Sequence, residues 1–106
     1  MEFMLRDRKM DINEGVLAFR KNPNAVLLDV RTAEEFSAGY ISGAKNIPLQ
    51  EIEYAEEEIH GKNTLIYVYC RSGVRSAKAI NALRYMGYTN LVDLGGILDY
   101  HGEIVR

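Results

Sequence analysis

The chain contains a single cysteine, Cys70, and the residues that follow it are unusual neighbours for a thiol. Arg71 and Arg75 add two positive charges, and Gly73 permits a positive φ angle in the loop between them. Backbone amides in such a tight loop can form a nest that binds anions. A free cysteine often simply packs in a core, but two arginines and a glycine directly after it pack poorly there. The residue types therefore indicate a nucleophilic thiolate at Cys70.

The pattern on either side of Cys70 places it between a strand and a helix. Residues 65–69 are aliphatic or aromatic without a break, which predicts a central parallel strand that is covered on both faces. From Ser76 onward, apolar residues recur at helical spacing up to Gly87, which predicts the end of the helix. In open parallel sheets, ligands bind at the carboxyl ends of the strands. The amides and dipole of a helix N-terminus favour negative charge at this position.

The rest of the chain alternates between strand and helix patterns. Residues 25–30 predict a second buried strand, and Asp29 and Arg31 lie at its carboxyl end. Helices are predicted after Asp11 and after the capping box of Thr32 and Glu35, and a third one over residues 49–59. Residues 90–94 predict a last strand, followed by two glycines and a short helix. This alternation predicts an α/β domain with a mainly parallel sheet.

Length and composition restrict the possible functions. The 106 residues correspond to one domain, residues 1–106, and the net charge of −2 argues against nucleic acid or an anionic membrane as a partner. No apolar run approaches the roughly 20 residues needed to cross a bilayer, and the first residues show no secretory signal. One cysteine cannot form an internal disulfide, which fits a cytoplasmic location. His60 and His101 are interpreted as surface residues, and the sequence predicts neither a metal site nor a cofactor.

Four residues separate Cys70 from Arg75, and this loop resembles the active-site loop of the rhodanese family of sulfurtransferases. Further blocks are similar to that family, so the resemblance covers roughly residues 9–102. These blocks are residues 28–31 with Glu35 and Phe36, residues 39–48, residues 87–91, and Gly95 with Gly96. Tyr40 and Tyr100 stand where the family often has histidine and tryptophan. The resemblance implies a three-layer α/β domain in which helices flank a central, mainly parallel five-stranded sheet.

The resemblance also implies a mechanism and a set of site residues. The Cys70 thiolate would take a sulfane sulfur from a small anionic donor such as thiosulfate, and the resulting persulfide would pass it to cyanide, a cellular thiol or a protein acceptor. Arg71 is expected to face solvent and attract the donor, while Arg75 braces the loop, with buried Asp29 as its paired charge. The implied substrate-binding residues are Arg71, Ser72, Gly73, Val74 and Arg75, and the implied supporting residues are Asp29, Arg31 and Ser76.

Two alternatives stay open at the level of sequence. The domain could be a persulfide carrier or a regulatory binding module that does not turn over small molecules. A cysteine-dependent phosphatase or arsenate reductase is the other alternative, although phosphatase loops of this type have one residue more between cysteine and arginine. The shorter loop of this chain favours a single sulfur atom over a phosphate ester. Both enzymatic interpretations require loop amides that face the thiol and a route for solvent to reach it.

Overall fold

The computed structural model describes residues 8–106, and its central element is a five-stranded parallel sheet. The seven strands of this region are β1 (Arg8–Lys9), β2 (Val26–Asp29), β3 (Tyr40–Ile41), β4 (Ala44–Asn46), β5 (Ile66–Cys70), β6 (Leu91–Gly96) and β7 (Ile104–Val105). The sheet has the order β1-β6-β5-β2-β4, and all of its pairings are parallel. Residues 1–7, to which the prediction of no secretory signal applies, lie outside the described residues.

Four α-helices and two 3₁₀ segments connect the strands. The helices are α1 (Ile12–Arg20), α2 (Ala33–Ala38), α3 (Ala55–Glu58) and α4 (Val74–Tyr85), and the 3₁₀ segments are Leu49–Tyr54 and Ile97–Asp99. The predicted caps are present. Asp11 accepts hydrogen bonds from the first amides of α1, and Thr32 and Glu35 form a reciprocal capping box at α2. Within the described residues, no helix has the length and apolar character needed to cross a membrane.

The central strand β5 divides the core into two halves. All five of its residues are buried, and successive side chains point to opposite faces of the sheet. Ile66, Val68 and Cys70 belong to the cluster that packs against α3 and α4, whereas Tyr67 and Tyr69 pack on the α1 side. Helices therefore cover both faces of the sheet. The predicted three-layer α/β architecture with a five-stranded parallel sheet is confirmed.

Several predicted boundaries were wrong, for local reasons. The strand β5 includes Cys70, and α4 begins at Val74 rather than Ser76, because Gly73 caps it in a left-handed conformation with a φ angle of +112°. The predicted helix over residues 49–59 is mostly 3₁₀, with non-helical backbone at Glu51. The strand β7, which pairs antiparallel with β3, is not predicted from the sequence. Two-residue strands are too short to show the alternating pattern of a half-buried strand.

Candidate active site

Cys70 is the last residue of β5 and lies beneath the loop that leads into α4. The backbone N–H of Gly73 donates a hydrogen bond to Cys70 Sγ over 3.0 Å. Because Gly73 is the N-cap of α4, the sulfur lies at the N-terminal end of a 12-residue helix, where the helix dipole favours negative charge. The predicted orientation of a loop amide toward the thiol is therefore present at Gly73.

The thiol is almost completely covered. Cys70 is only 1% exposed, although Arg71 and Ser72 directly after it are exposed on the surface of the loop. In the structure of residues 8–106, the open route from solvent to the sulfur that the enzymatic interpretations require is not present.

The loop rests directly on the end of β6. A Cβ atom added at Gly96 would lie 2.2 Å from the carbonyl oxygen of Arg71 and 2.6 Å from the Cα of Ser72. Since both atoms belong to the backbone, only glycine allows this close approach. The amide of Leu98 in turn donates a hydrogen bond to the Arg71 carbonyl over 3.2 Å. The double glycine of the sequence thus provides the surface on which the Cys70 loop lies.

Arg75 is held by Glu35, which corrects the prediction that Asp29 would be its partner. The two guanidinium Nη atoms of Arg75 donate to the two carboxylate oxygens of Glu35 over 2.6 and 3.0 Å. This hydrogen-bonded pair lowers the pKa of Glu35 to about 2, and the hydrogen bond from the Thr32 amide contributes in the same direction. The hydrogen bond to Glu35 also raises the pKa of Arg75, and the charge of Cys70 adds a smaller effect. The bidentate bridge ties α4 to the first turn of α2.

Asp29 instead forms a buried ion pair with Arg31. Arg31 Nη2 lies 2.7 Å from Asp29 Oδ2 and also donates to the carbonyl of Gly39 over 2.7 Å. Burial alone would lower the pKa of Arg31, but the hydrogen bonds and charge of Asp29 outweigh it and raise that pKa. Burial, followed by the charge of Asp29, raises the pKa of the Tyr69 hydroxyl. Asp29 and Arg31 therefore stabilise the ends of β2 and β5, one strand away from the cysteine. They do not hold Arg75.

Ser76 links α4 to β6. Its hydroxyl lies 2.8 Å from Asp93 Oδ1 and 3.0 Å from the Gly73 carbonyl, so its one proton is shared between two acceptors. Asp93 is buried, and its carboxylate also accepts a hydrogen bond from the Gly95 amide over 2.9 Å. Ser76, which was predicted as a supporting residue, thus connects the Gly73 carbonyl to Asp93 on β6. Sequence reasoning missed Asp93 because this carboxylate lies in the middle of a strand, with no motif around it.

The remaining predicted site residues lie on the outside of the loop. Arg71 and Ser72 are exposed, as expected for Arg71, and Val74 is an exposed apolar side chain at the first position of α4. His60 and His101 are on the surface, as interpreted from the sequence. Within residues 8–106, no three side chains of histidine, cysteine, aspartate or glutamate are grouped so that they could hold a metal ion.

A model of the rhodanese-like domain family matches residues 13–103, a span that includes Cys70 and every side chain that anchors its loop. The chain belongs to the rhodanese-like domain family. Thiosulfate sulfurtransferase PspE of Escherichia coli is 38% identical over 73 residues, which are 68% of this chain and 70% of PspE. The solved structure described as rhodanese with anions from E. coli is 35% identical, has a TM-score of 0.72, and is matched over 77% of this chain and 98% of that one.

Another relative shows how far the likeness between whole chains extends. Uncharacterized protein YqhL of Bacillus subtilis is 41% identical over 81 residues, but the match spans 76% of this chain and only 64% of YqhL. The chain therefore spans less than two thirds of the length of YqhL. The pairing of Arg75 with Glu35 emerges only from the contacts between elements.

Proposed function

We propose that this rhodanese-like protein is a sulfurtransferase that moves a sulfane sulfur from a donor such as thiosulfate to cyanide or a thiol through a persulfide on Cys70. The observation that carries the proposal is the hydrogen bond of 3.0 Å from the Gly73 amide to Cys70 Sγ at the N-terminus of α4. An amide in this position stabilises negative charge on sulfur before and after a second sulfur atom is added. The likeness to PspE supports thiosulfate as the donor to be tested.

In the first half-reaction, the Cys70 thiolate attacks the outer sulfur of thiosulfate. A new S–S bond forms at Cys70 Sγ, and the bond between that outer sulfur and the sulfonate group breaks. The electron pair of the broken bond leaves with sulfite, so that the Cys70 persulfide carries one negative charge and no external oxidant is needed. Exposed Arg71 attracts the dianionic donor, and Arg75, which Glu35 holds in place, adds fixed positive charge beside Cys70.

In the second half-reaction, an acceptor removes the outer sulfur. Cyanide attacks that sulfur, the S–S bond to Cys70 breaks, and the electron pair stays on Cys70 Sγ as the regenerated thiolate. The product is thiocyanate, and the two steps predict ping-pong kinetics. Because Cys70 is 1% exposed, both substrates require a local opening of the loop.

The decisive experiment measures sulfur loading and turnover separately. After incubation with thiosulfate, the intact mass of the wild-type protein should increase by one sulfur atom, and cyanide should then restore the original mass and yield thiocyanate. The Cys70→Ser variant should show neither change while its urea unfolding remains cooperative. The Lys78→Gln variant, altered at an exposed position on α4, serves as the matched control and should behave like wild type. Wild-type rates of thiocyanate formation in Cys70→Ser would exclude Cys70 as the nucleophile.

Two further outcomes separate this proposal from its alternatives. Efficient hydrolysis of an aryl phosphate or reduction of arsenate would show that the four-residue spacing between Cys70 and Arg75 does not exclude tetrahedral oxyanions. Loading with sulfur that cyanide does not remove would instead indicate a persulfide carrier that delivers sulfur to a protein acceptor. The covered position of Cys70 favours this carrier function as the second candidate, since it shields a persulfide from small nucleophiles in solution.

The cellular setting follows from the same chemistry. The proposed cycle needs a free thiolate and no cofactor, because sulfur moves by exchange between sulfur atoms. A chain with a single cysteine suits a reducing compartment, and we infer that the protein acts in the cytoplasm.

A further inference from the structure

Asp93 is a buried carboxylate in the middle of β6, between two apolar residues. It is only 8% exposed, and its neighbours Val92 and Leu94 belong to the core on the α1 side of the sheet. Asp93 points to the opposite face, where it contacts Ser76 on α4. A buried carboxylate destabilises a fold unless hydrogen bonds compensate for its lost hydration. The hydrogen bonds of Asp93 therefore show what the charge does at this position.

One series of contacts leads from Asp93 to the sulfur. The Ser76 hydroxyl lies 2.8 Å from Asp93 Oδ1 and 3.0 Å from the carbonyl oxygen of Gly73. The N–H of Gly73 in turn donates to Cys70 Sγ over 3.0 Å. Three contacts of ordinary hydrogen-bond length thus connect the carboxylate to the thiol. If Ser76 lost its partner on β6, the residue whose amide faces the sulfur would lose one of its supports.

A second contact of Asp93 shapes the strand β6 itself. Asp93 Oδ1 also accepts a hydrogen bond from the Gly95 amide over 2.9 Å, which closes an Asx turn. The φ angle of Gly95 is +78°, in the left-handed region that favours glycine. The pairing with β5 shifts at the same point, because Val68 lies opposite Asp93 and the next residue of β5 lies opposite Gly95. Leu94 is therefore the extra residue of a β-bulge, and the Asx turn of Asp93 spans it.

The bulge determines which glycine lies beside the Cys70 loop. With the extra residue in β6, Cys70 lies opposite Gly96, whereas without it Cys70 would lie opposite Gly95. The loop rests on Gly96, since a Cβ atom added there would lie 2.2 Å from the Arg71 carbonyl oxygen. Bulges next to active sites commonly redirect the chain in this way. The carboxylate of Asp93 thus supports the loop from two sides, through α4 and through the end of β6.

We propose that Asp93 is a positioning residue for sulfur transfer, and that it keeps the Gly73 amide directed at Cys70 through Ser76 and through the bulge. The inference rests on the proposed sulfurtransferase function. Asp93 acts through its neighbours, and the amide that they hold stabilises negative charge on sulfur as the S–S bonds form and break. A displaced amide should therefore lower kcat and leave the KM for thiosulfate almost unchanged.

The kinetic test measures thiocyanate formation from thiosulfate and cyanide. Asp93→Ala should lower kcat by about tenfold, the scale of one hydrogen bond to a charged group, and change KM by less than about threefold. Asp93→Asn keeps an oxygen that accepts from Ser76 and Gly95, so it should retain at least about a third of the wild-type kcat. The matched control is Val92→Ala, at the adjacent buried residue of β6, which should lower stability but keep kcat within about twofold. Equal losses of kcat in Asp93→Ala and Val92→Ala, or no rescue by asparagine, would overturn the positioning role.

Hydrogen exchange of the Gly73 amide separates this inference from the proposed function. This amide donates to a buried sulfur, so it should exchange slowly in the wild-type protein whether or not sulfur is transferred. Asp93→Ala should speed its exchange by about tenfold relative to the amides of β2, whereas Val92→Ala should affect both regions equally. Unchanged relative exchange at Gly73 in Asp93→Ala would refute the positioning role even if Cys70 transfers sulfur. Faster exchange in a protein that thiosulfate does not load would reject the sulfurtransferase proposal and leave the contact from Asp93 to the loop standing.

Ser76→Ala keeps the test decisive if Asp93→Ala does not fold. This substitution removes only the connection to Gly73 and leaves the hydrogen bond between Asp93 and the Gly95 amide in place. It should lower kcat by about threefold and speed exchange at Gly73 by a similar factor. A Ser76→Ala variant with the kcat and the Gly73 exchange rate of the wild-type protein would refute the connection through Ser76.

Discussion

Replacing Glu35 by glutamine tests the ion pair that holds the Cys70 loop to α2. Glu35 accepts both hydrogen bonds from Arg75, over 2.6 and 3.0 Å, and it also accepts from the Thr32 amide over 2.9 Å. A glutamine keeps the size of the side chain and one oxygen acceptor, but it removes the negative charge and places an NH₂ group against the guanidinium. The substitution therefore breaks the bidentate geometry and leaves most of the capping box intact.

The size of the effect follows from the titration of Glu35. Its pKa falls from 4.5 to about 2 in the folded protein, first because of the hydrogen bond from Arg75. That difference corresponds to at most about 3 kcal/mol. The Glu35 and Arg75 side chains are 28% and 30% exposed, so solvent screening reduces the expected loss to about 1–2 kcal/mol at pH 7.

The direction of the pH dependence can be predicted as well. A carboxylate whose pKa is depressed on folding stabilises the protein above the unfolded pKa, near 4.5, and loses that contribution as the pH falls toward about 2. In Glu35→Gln this contribution is absent at every pH. The stability difference between wild type and variant should therefore be constant above pH 5 and should shrink steadily between pH 4.5 and pH 2.

Urea unfolding at a series of pH values measures this difference. Glu34→Gln is the matched control, because Glu34 is the adjacent exposed residue in the first turn of α2. This substitution removes the same charge but leaves the hydrogen bonds of Arg75 unchanged. We expect Glu34→Gln to cost less than about 0.5 kcal/mol. In addition, Glu35→Gln should slow sulfur loading of Cys70, while Glu34→Gln should not. If the two variants lose equal stability with the same pH profile, the bridge to Arg75 contributes nothing beyond the net charge of α2.

Two further variants distinguish effects on the Cys70 loop from effects on the stability of the core. Gly96→Ala places a methyl group against the backbone of Arg71, so it should displace the loop, reduce sulfur loading and speed the alkylation of Cys70 by iodoacetamide. Gly15→Ala, whose added methyl group lies nearest to the Leu94 side chain, should leave the loading unchanged. Tyr88→Phe removes a buried hydroxyl that lies 3.0 and 2.7 Å from two backbone carbonyl oxygens, so urea unfolding should show a loss of stability of about 1–2 kcal/mol, while sulfur loading stays normal. The control Tyr85→Phe, at a side chain that is 95% exposed, should leave the stability almost unchanged.

The features that the sequence predicted correctly are those with local causes. A central strand that is buried on both faces requires an unbroken apolar run, so β5 could be inferred from neighbouring residues. A helix start favours a side chain that accepts hydrogen bonds from the first backbone amides, so the caps at Asp11 and Thr32 could be inferred in the same way. The position of Cys70 followed from the same reasoning, because the end of a buried strand and the start of a helix adjoin there. Gly73 confirms it, since its positive φ angle supplies the turn.

The ion pairs could not be predicted in the same way, because they depend on how separate elements meet. Asp29 ends β2 and Glu35 lies in the helix α2 that follows it, so either carboxylate could have faced Arg75. In the structure Asp29 is taken by Arg31, only two residues away, which leaves Arg75 to a carboxylate 40 residues distant in sequence. Glu35 had a sufficient explanation as a capping residue, and nothing in the spacing indicated that its second oxygen and its charge serve α4.

These contacts show how the loop that covers Cys70 is held in place. Three separate elements fix it. Glu35 on α2 binds Arg75, Asp93 on β6 binds Ser76, and the Leu98 amide binds the Arg71 carbonyl. The three anchors hold residues 71–76, and the Gly73 amide within this segment donates a hydrogen bond to Cys70 Sγ. A site built in this way is preorganised by its surroundings. Because the anchors act on one short segment, loss of two of them should reduce sulfur loading by an amount that differs from the sum of the single effects.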